Sequence, residues 1–130
     1  MKNSVNLNMD FSQKVQIKTA EMDWQNSPSP DVVRKPLSRA NQESGHATSV
    51  VKYQPGAQFN KHIHVKGEEI FVLEGTFSDE NGDYPQGSYI RNPHGTSHSP
   101  FSQDGCTLFV KLAQFQQDDK QQLVIDTKNQ

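Results

Sequence analysis

Cysteine is almost absent from this chain, since Cys106 is the only one among 130 residues. A lone cysteine cannot form an intrachain disulfide or supply a cysteine-based zinc knuckle, so both frameworks are excluded. Charge of one sign is not in excess either, because the net charge is -2 and the lysines and arginines are scattered. The composition therefore gives no electrostatic footprint for nucleic acid or for an anionic membrane.

Apolar residues are scarce as well, at 32% of the chain, and mean hydropathy is -0.85. The N-terminus, MKNSVNLNMDFSQKV, contains no apolar core segment. We therefore expect neither a signal peptide nor a membrane anchor, and a cytoplasmic protein. A chain of this length can build one domain core but not two.

Helical periodicity and internal repeats are not found, which sets aside solenoids and propellers. Short alternating segments separated by turns are present instead, among them HATSVVKY, EEIFVLEGTF, SYIRN and CTLFVKLAQF. Segments of this length and spacing predict an all-β sandwich or barrel.

Four local features make this prediction specific. Val15 and Ile17 in KVQIKT (14–19) alternate with polar residues and predict a half-buried strand. Residues 31–39 predict a second strand, with Pro36 at an edge or a bulge. Asn81-Gly82 predicts a hairpin turn whose two central residues have positive φ. Residues 123–125 predict a last strand, which we expect to pair with the N-terminal one.

The segment KHIHVKGEEIFVLEG (61–75) holds two histidines one residue apart. Because alternate side chains of a strand share a face, His62 and His64 point the same way. A turn at Gly67 would let Glu68 swing back beside them. Without further signals, a structural role for two histidines at a strand end would be the competing interpretation.

About thirty residues later, the segment PHGTSH (93–98) places a second pair, His94 and His98, behind another turn. Three neutral imidazoles and one carboxylate suit a divalent transition metal. The residue types, the strand period and the turn glycines thus agree on a metal site.

These segments resemble the two cupin motifs. The first motif is G, five residues, H-x-H, three or four residues, E, six residues and G, and the chain matches it at Gly56, His62, His64, Glu68 and Gly75. The second is G, five residues, P-x-G, two residues, H, three residues and N, matched at Gly87, Pro93, Gly95 and His98. Ser102 stands where the family has asparagine, a departure that concerns local geometry more than metal binding.

The resemblance implies a single cupin barrel, that is, a double-stranded β-helix or jelly roll. We expect it to span 14–126, with an N-terminal arm (1–13) and a short tail (127–130). The implied metal ligands are His62, His64, Glu68 and His98. Glu69 is the rival carboxylate, but alternation places it on the opposite strand face, with Phe71 and Leu73. His94 is interpreted as a solvated loop histidine.

The sequence between the motifs is similar to that of the ChrR-type cupins. It reads KGEEIFVLEGTFSDENGDYPQGSYIRNPHGTSHSP, followed by GCTLFVKL. This subgroup includes the sensor domain of zinc-dependent anti-sigma factors and dioxygenases acting on diketones and hydroxylated acetophenones. The resemblance implies one divalent metal per chain and a homodimer. Iron or zinc is favoured, and manganese or nickel would fit the same ligands.

Two hypotheses remain for the role of the metal. The first is a mononuclear dioxygenase or lyase acting on a small, oxygenated, diketone-like molecule, because a six-coordinate metal with four protein ligands keeps about two open positions. Glu68 could then also accept a substrate proton. Arg91 could hold an anionic substrate oxygen if its strand face is the inner one, and an exposed or structurally paired arginine is the alternative.

The second hypothesis is a sensor or ligand-binding module, since four-coordinate zinc would leave no position for chemistry. Relatives that are anti-sigma factors carry a separate N-terminal zinc domain of histidines and cysteines. Residues 1–45 contain neither. We therefore expect an isolated sensory half rather than a complete anti-sigma factor.

Two further residues concern the core and the surface. Alternation places Cys106 with Leu108, Val110 and Leu112 as a buried apolar residue, and a redox switch is the alternative. Trp24 is expected to pack over a barrel edge or to make a dimer contact.

Overall fold

The computed structural model describes residues 6–40, 46–59, 67–93 and 95–112 in full, and 62–63 and 123–126 by their backbone. A short 3-10 turn covers Thr19–Glu21. The strands are β1 (Gln25–Asn26), β2 (Val32–Arg39), β3 (Ala47–Tyr53), β4 (Ala57–Gln58), β5 (His62–Ile63), β6 (Glu68–Asp79), β7 (Gly82–Pro85), β8 (Ser88–Asn92), β9 (Ser97–His98), β10 (Phe101–Ser102), β11 (Cys106–Leu112) and β12 (Leu123–Asp126).

The all-β prediction is confirmed, since every element in the described part of the chain other than the 3-10 turn is a strand. Over the same residues, no helix has the length and apolar character needed to span a bilayer.

The twelve-residue strand β6 belongs to both layers of the fold. Its first part pairs with β11 on one side and β8 on the other, and the order β1-β2-β3-β11-β6-β8-β12 completes that layer. Its last part, residues 76–79, pairs with β7 and β10, and β10 continues to β4. Strands β5 and β9 form a separate two-stranded ladder. A curled sheet of this kind is the predicted jelly-roll architecture.

The core fills the space between the layers, and strand alternation decides which residues reach it. Along β6, Ile70 and Val72 are buried whereas Leu73 is 44% exposed. Leu108 of β11 and Ile90 of β8 meet them from the neighbouring strands. The remaining buried members are Val32, Tyr53, Ala57, Phe77, Tyr84, Cys106 and Val110.

The predicted bulge at Pro36 is confirmed, because the register of β2 against β3 shifts between Pro36 and Ser38. The hairpin at Asn81-Gly82 is also present, but its turn lies one residue earlier than predicted. Asp79 pairs with Gly82, and Asn81 does not have a positive φ. The cause is the Asp79 side chain, whose Oδ1 accepts the Asn81 N–H at 2.8 Å and favours this turn.

Two predicted strand arrangements are wrong. Residues 14–18 form no strand, and Val15 is 47% exposed. The free edge of β2 is contacted instead by β1 and, at Arg39, by Leu7, so the segment between them has no ladder to join. Strand β12 pairs with β8 rather than with an N-terminal strand.

Gly75, where β6 passes from one layer to the other, is expected to tolerate no side chain. Its φ is 78°, and an added Cβ would overlap the Gly105 carbonyl oxygen and lie 2.9 Å from Cys106 Cα. We expect Gly75→Ala to lower the free energy of unfolding by about 2–5 kcal/mol, because left-handed strain and backbone overlap add. Urea denaturation monitored by circular dichroism would measure it.

Gly56→Ala is the matched control. Gly56 has a similar φ of 83°, but an added Cβ meets no described atom within 4 Å. Left-handed strain alone should cost about 1–2 kcal/mol there. Equal losses in the two variants would contradict the overlap at Gly75.

Candidate metal centre

Glu68 and His98 meet inside the barrel although thirty residues separate them along the chain. Glu68 opens β6 on the face that carries Ile70 and Val72, and it is 8% exposed. His98 ends β9 and is 2% exposed. Glu68 Oε1 lies 3.3 Å from His98 Nε2. A carboxylate oxygen and an imidazole nitrogen therefore face each other in a buried site.

The backbone of His62 is close to the same point, because the β5–β9 ladder pairs His62 directly with His98. The side chain of His62 and the whole of His64 and His94 lie outside the described residues. Among the side chains that are described, no group of three or more His, Cys, Asp or Glu residues that could hold a metal ion is found. Of the four predicted ligands, the structure thus brings Glu68 and His98 together.

The Glu68–His98 pair fits two adjacent ligands of one metal ion. Donor atoms at about 2.0–2.2 Å from an ion lie roughly 3.0 Å apart at a right angle and roughly 3.4 Å apart at a tetrahedral angle. The observed separation of 3.3 Å falls in this range. The donor types, one carboxylate oxygen and one imidazole nitrogen, are those of zinc, iron, manganese and nickel sites.

Two buried residues that the sequence analysis did not single out hold this pair. Asn92, at the end of β8, donates from Nδ2 to Glu68 Oε1 at 3.2 Å. Asp79, at the end of β6, places Oδ2 3.3 Å from His98 Nδ1. Alternation with Ile90 would have shown that Asn92 points inward. Nothing local in the sequence relates Asp79 to His98.

The hairpin that follows β6 contacts both the side chain and the main chain around His98. Glu80 Oε1 accepts the backbone N–H of Ser99 at 2.9 Å. Asp79 Oδ1 accepts the Tyr84 hydroxyl at 3.1 Å in addition to the Asn81 N–H. The hairpin therefore fixes the end of β9 from two directions.

Burial and hydrogen bonding shift several ionisations in the site. Burial alone would raise the pKa of Asp79, but hydrogen bonds from His98, Asn81 and Tyr84 outweigh it and lower the pKa below the ordinary value. Burial, followed by the charge of Asp79, raises the pKa of Tyr84 to about 12. Burial and the charge of Glu68 raise the pKa of Tyr53. Both tyrosines are therefore protonated at neutral pH.

An aromatic wall lies beside the pair. The Phe77 ring centroid is 6.2 Å from that of His98, and Tyr53 packs edge-on against Phe77 at 5.7 Å. Phe59 packs on Tyr53 at 6.1 Å. Tyr53 and Phe77 are buried, so the pair lies beside an apolar interior, in which electrostatic interactions are stronger than in water.

Ser102 fills the motif position where the family has asparagine. It is fully buried, and its hydroxyl donates to the Thr76 carbonyl at 2.6 Å. The serine thus joins β10 to the bend of β6.

Glu69, the rival carboxylate, and Arg91 lie on the outer face of the sheet. Glu69 bonds through Oε2 to the Tyr89 hydroxyl, which also accepts from Arg91 Nε at 3.2 Å. Arg91 is exposed, whereas its neighbours Ile90 and Asn92 are buried. The inner position on which a substrate contact of Arg91 depended is therefore not met.

The remaining predictions concern Trp24 and Cys106. Trp24 lies over the edge of the sheet, with Lys35 Nζ 4.4 Å and Lys52 Nζ 5.8 Å from its ring centroids. Cys106 is buried in the core, as alternation predicted, but Leu112 on the same strand face is 37% exposed at the end of β11. Burial raises its pKa to about 11.

A model of the ChrR Cupin-like domain matches residues 12–116. No curated protein matches the chain. A solved structure of a putative acetylacetone dioxygenase from Methylibium petroleiphilum PM1 is 17% identical, with a TM-score of 0.70, over 99% of this chain and 94% of that one. An acetylacetone dioxygenase from Acinetobacter johnsonii is 18% identical, with a TM-score of 0.64, over 89% and 86%.

The anti-sigma protein ChrR, in a complex with SigE from Rhodobacter sphaeroides, is 18% identical with a TM-score of 0.61. The match covers 73% of this chain and 51% of that one, so this chain spans about half of it. At such identities these likenesses show the fold.

Cys106 is expected to resist thiol reagents in the folded protein. A shift of its pKa from 9 to about 11 lowers the thiolate fraction at pH 8 about a hundredfold, and burial hinders access further. Reaction with a disulfide reagent should be slow at pH 8, should accelerate as the pH rises toward 11, and should be complete after unfolding. Because the chain has no other cysteine, Cys106→Ser gives the blank. Fast stoichiometric reaction of the native protein would support a redox switch instead.

Proposed function

This chain belongs to the ChrR Cupin-like family, as its motifs predicted, and we propose that it is a metal-dependent dioxygenase or lyase acting on a small, diketone-like molecule. The observation that carries the proposal is the buried contact between Glu68 Oε1 and His98 Nε2 at 3.3 Å. Burying a carboxylate beside an imidazole nitrogen is costly unless a cation or a proton joins them. A divalent ion would do so and would use both donors.

In this proposal the ion is held by His62, His64, Glu68 and His98. The direct pairing of His62 with His98 supports this set, since it brings two ligand-bearing positions to one place in the β5–β9 ladder. Asn92 supports it as well, because its hydrogen bond fixes the carboxylate of Glu68. Fixed ligands bind a metal more tightly than mobile ones.

The metal would polarise a substrate carbonyl as a Lewis acid, and iron(II) would also supply electrons for dioxygen chemistry. The side chains of the protein would transfer the proton and position the substrate. Glu68 would accept the acidic proton between two carbonyl groups, since its second oxygen is not the atom that faces His98. Tyr53, Phe59 and Phe77 would pack against the apolar part of the substrate and exclude water.

The proposal includes a homodimer in the cytoplasm. Apolar side chains exposed in the N-terminal part of the chain support the dimer, because a second copy would remove them from water. They are Leu7, Phe11, Val15, Ile17 and Trp24.

Metal content of purified variants tests the ligand set. We expect about one divalent ion per chain in the wild type, and near-complete loss in His98→Ala or His62→Ala, because each removes one of four donors. His94→Ala is the matched control and should retain the ion. Elemental analysis gives the ratio directly. Full metal retention in the His98 variant would contradict the assignment.

A sensor is the second candidate function. It is favoured by the ChrR Cupin-like match and by the likeness to the ChrR chain bound to SigE. The same four donors would complete the shell of zinc, which prefers four ligands. The ion would then be structural or would respond to a ligand.

Oxygen consumption separates the two functions. Wild-type protein loaded anaerobically with iron(II) is expected to consume oxygen when acetylacetone or a related β-diketone is added. The Glu68→Gln variant should consume oxygen at least tenfold more slowly, because the substitution removes both a metal ligand and the proton acceptor. A lyase would convert the substrate without oxygen, which product analysis would detect. Glu69→Gln, on the outer face, is the control. If none of these diketones is converted, and protein from the native host contains four-coordinate zinc, the sensor is favoured.

A further inference from the structure

The most deeply buried charged side chain next to the candidate metal centre is that of Asp79. Its side chain is 0% exposed, and it lies at the opposite end of β6 from Glu68. It was not among the predicted ligands, and its oxygens are close to the far nitrogen of His98 rather than to the side that faces Glu68. Its position therefore indicates a role that acts through His98.

The two oxygens of Asp79 have separate partners. Oδ1 accepts the Asn81 N–H at 2.8 Å and the Tyr84 hydroxyl at 3.1 Å, and both of these contacts lie within the hairpin. Oδ2 faces His98 Nδ1 at 3.3 Å. One oxygen thus shapes the turn, and the other is committed to the histidine.

These contacts fix where the imidazole carries its hydrogen. An ionised carboxylate has no hydrogen to donate, so Asp79 Oδ2 pairs with Nδ1 only if His98 carries a hydrogen there. The lone pair of the neutral ring is then on Nε2, which faces Glu68 Oε1 at 3.3 Å. Two acceptor atoms at this distance attract each other only through a cation or a proton between them.

We propose that Asp79 is a positioning residue that holds His98 in the Nδ1–H tautomer and directs Nε2 toward the metal. The inference rests on the metal centre proposed above. Removing a carboxylate that orients a ligating histidine typically weakens metal affinity 10–100-fold. The orienting contact comes from the same strand that supplies Glu68, so β6 would provide both a ligand and the support of another ligand.

Asp79→Asn is the decisive variant, because it preserves shape while it inverts one contact. The amide oxygen can still accept from Asn81 and Tyr84, which keeps the turn. The amide nitrogen then donates toward Nδ1 and moves the imidazole hydrogen to Nε2, the atom that must bind the metal. We expect zinc(II) affinity, measured by competition with a chromophoric chelator, to fall 10–100-fold.

Asp83→Asn is the matched control. Asp83 lies in the same hairpin, and its Oδ1 accepts from the Ser78 hydroxyl at 2.7 Å, not from His98. It should bind zinc as the wild type does, and His98→Gln should mark the affinity that remains without this ligand. Equal zinc affinities of the Asp79 and Asp83 variants, both folded by circular dichroism, would overturn the inference.

Nitrogen-15 NMR of the histidine rings gives a readout that a merely structural role would not change. In zinc-loaded wild-type protein, His98 is expected to carry its hydrogen on Nδ1, and Asp79→Asn should lose that signature. Metal bound through Nδ1, with the hydrogen on Nε2, would refute the proposal even if the variant fails to fold.

The two proposals fail in different ways. If wild-type protein binds none of zinc, iron, manganese or nickel, the metal centre is wrong. The His98 tautomer can still be measured in that metal-free protein at a pH where the ring is neutral, and an Nε2–H tautomer there would refute the role of Asp79 by itself.

Discussion

Both ends of β6 contact one imidazole ring. Glu68 at its start faces Nε2 of His98, and Asp79 at its end faces Nδ1, each at 3.3 Å. An extended strand of twelve residues would span about 36 Å, far more than two side chains and a ring can bridge. The strand must therefore curl around His98, and the bend at Gly75 lets it do so because no Cβ obstructs the Gly105 carbonyl. The candidate centre depends on this curvature.

The curvature concentrates polar groups in a small apolar core. Glu68, Asp79, Asn92 and His98 are all buried, and each has a hydrogen-bond or ionic partner among the others. Such a network stabilises a unique arrangement when its members are satisfied and is costly when one is removed. A core with so few apolar residues would be expected to keep four buried polar groups only where they have a use, which agrees with a binding site rather than with stability alone.

Enzyme and sensor would share this network, because the same donors serve both. What separates them is the number of ligands that the native ion prefers, since a six-coordinate ion keeps open positions and four-coordinate zinc does not. Tyr53, Phe59 and Phe77 pack on one another beside His98, and under either proposal a small organic ligand would contact these rings.

Several features followed from local pattern in the sequence. The short alternating segments predicted an all-β fold, and the motif spacings predicted the family. The two-residue period separated Glu68 from Glu69 correctly by face, because alternation is a property of any strand. The period does not say which face is the inner one, so the exposed position of Arg91 followed only from the folded structure. It does not choose a partner strand either, so the strand at 14–19 and the pairing of β12 were wrong.

Sequence by itself determined which residue types could bind a metal and which of them share a strand face, since both are set by neighbours along the chain. Only the tertiary structure decided that Asp79 and Asn92 reach His98 and Glu68. Those contacts arise from the curl of β6 and the register of β8. Contacts between strands that are distant in sequence produce no periodic pattern of residues, so they could not be predicted from the sequence.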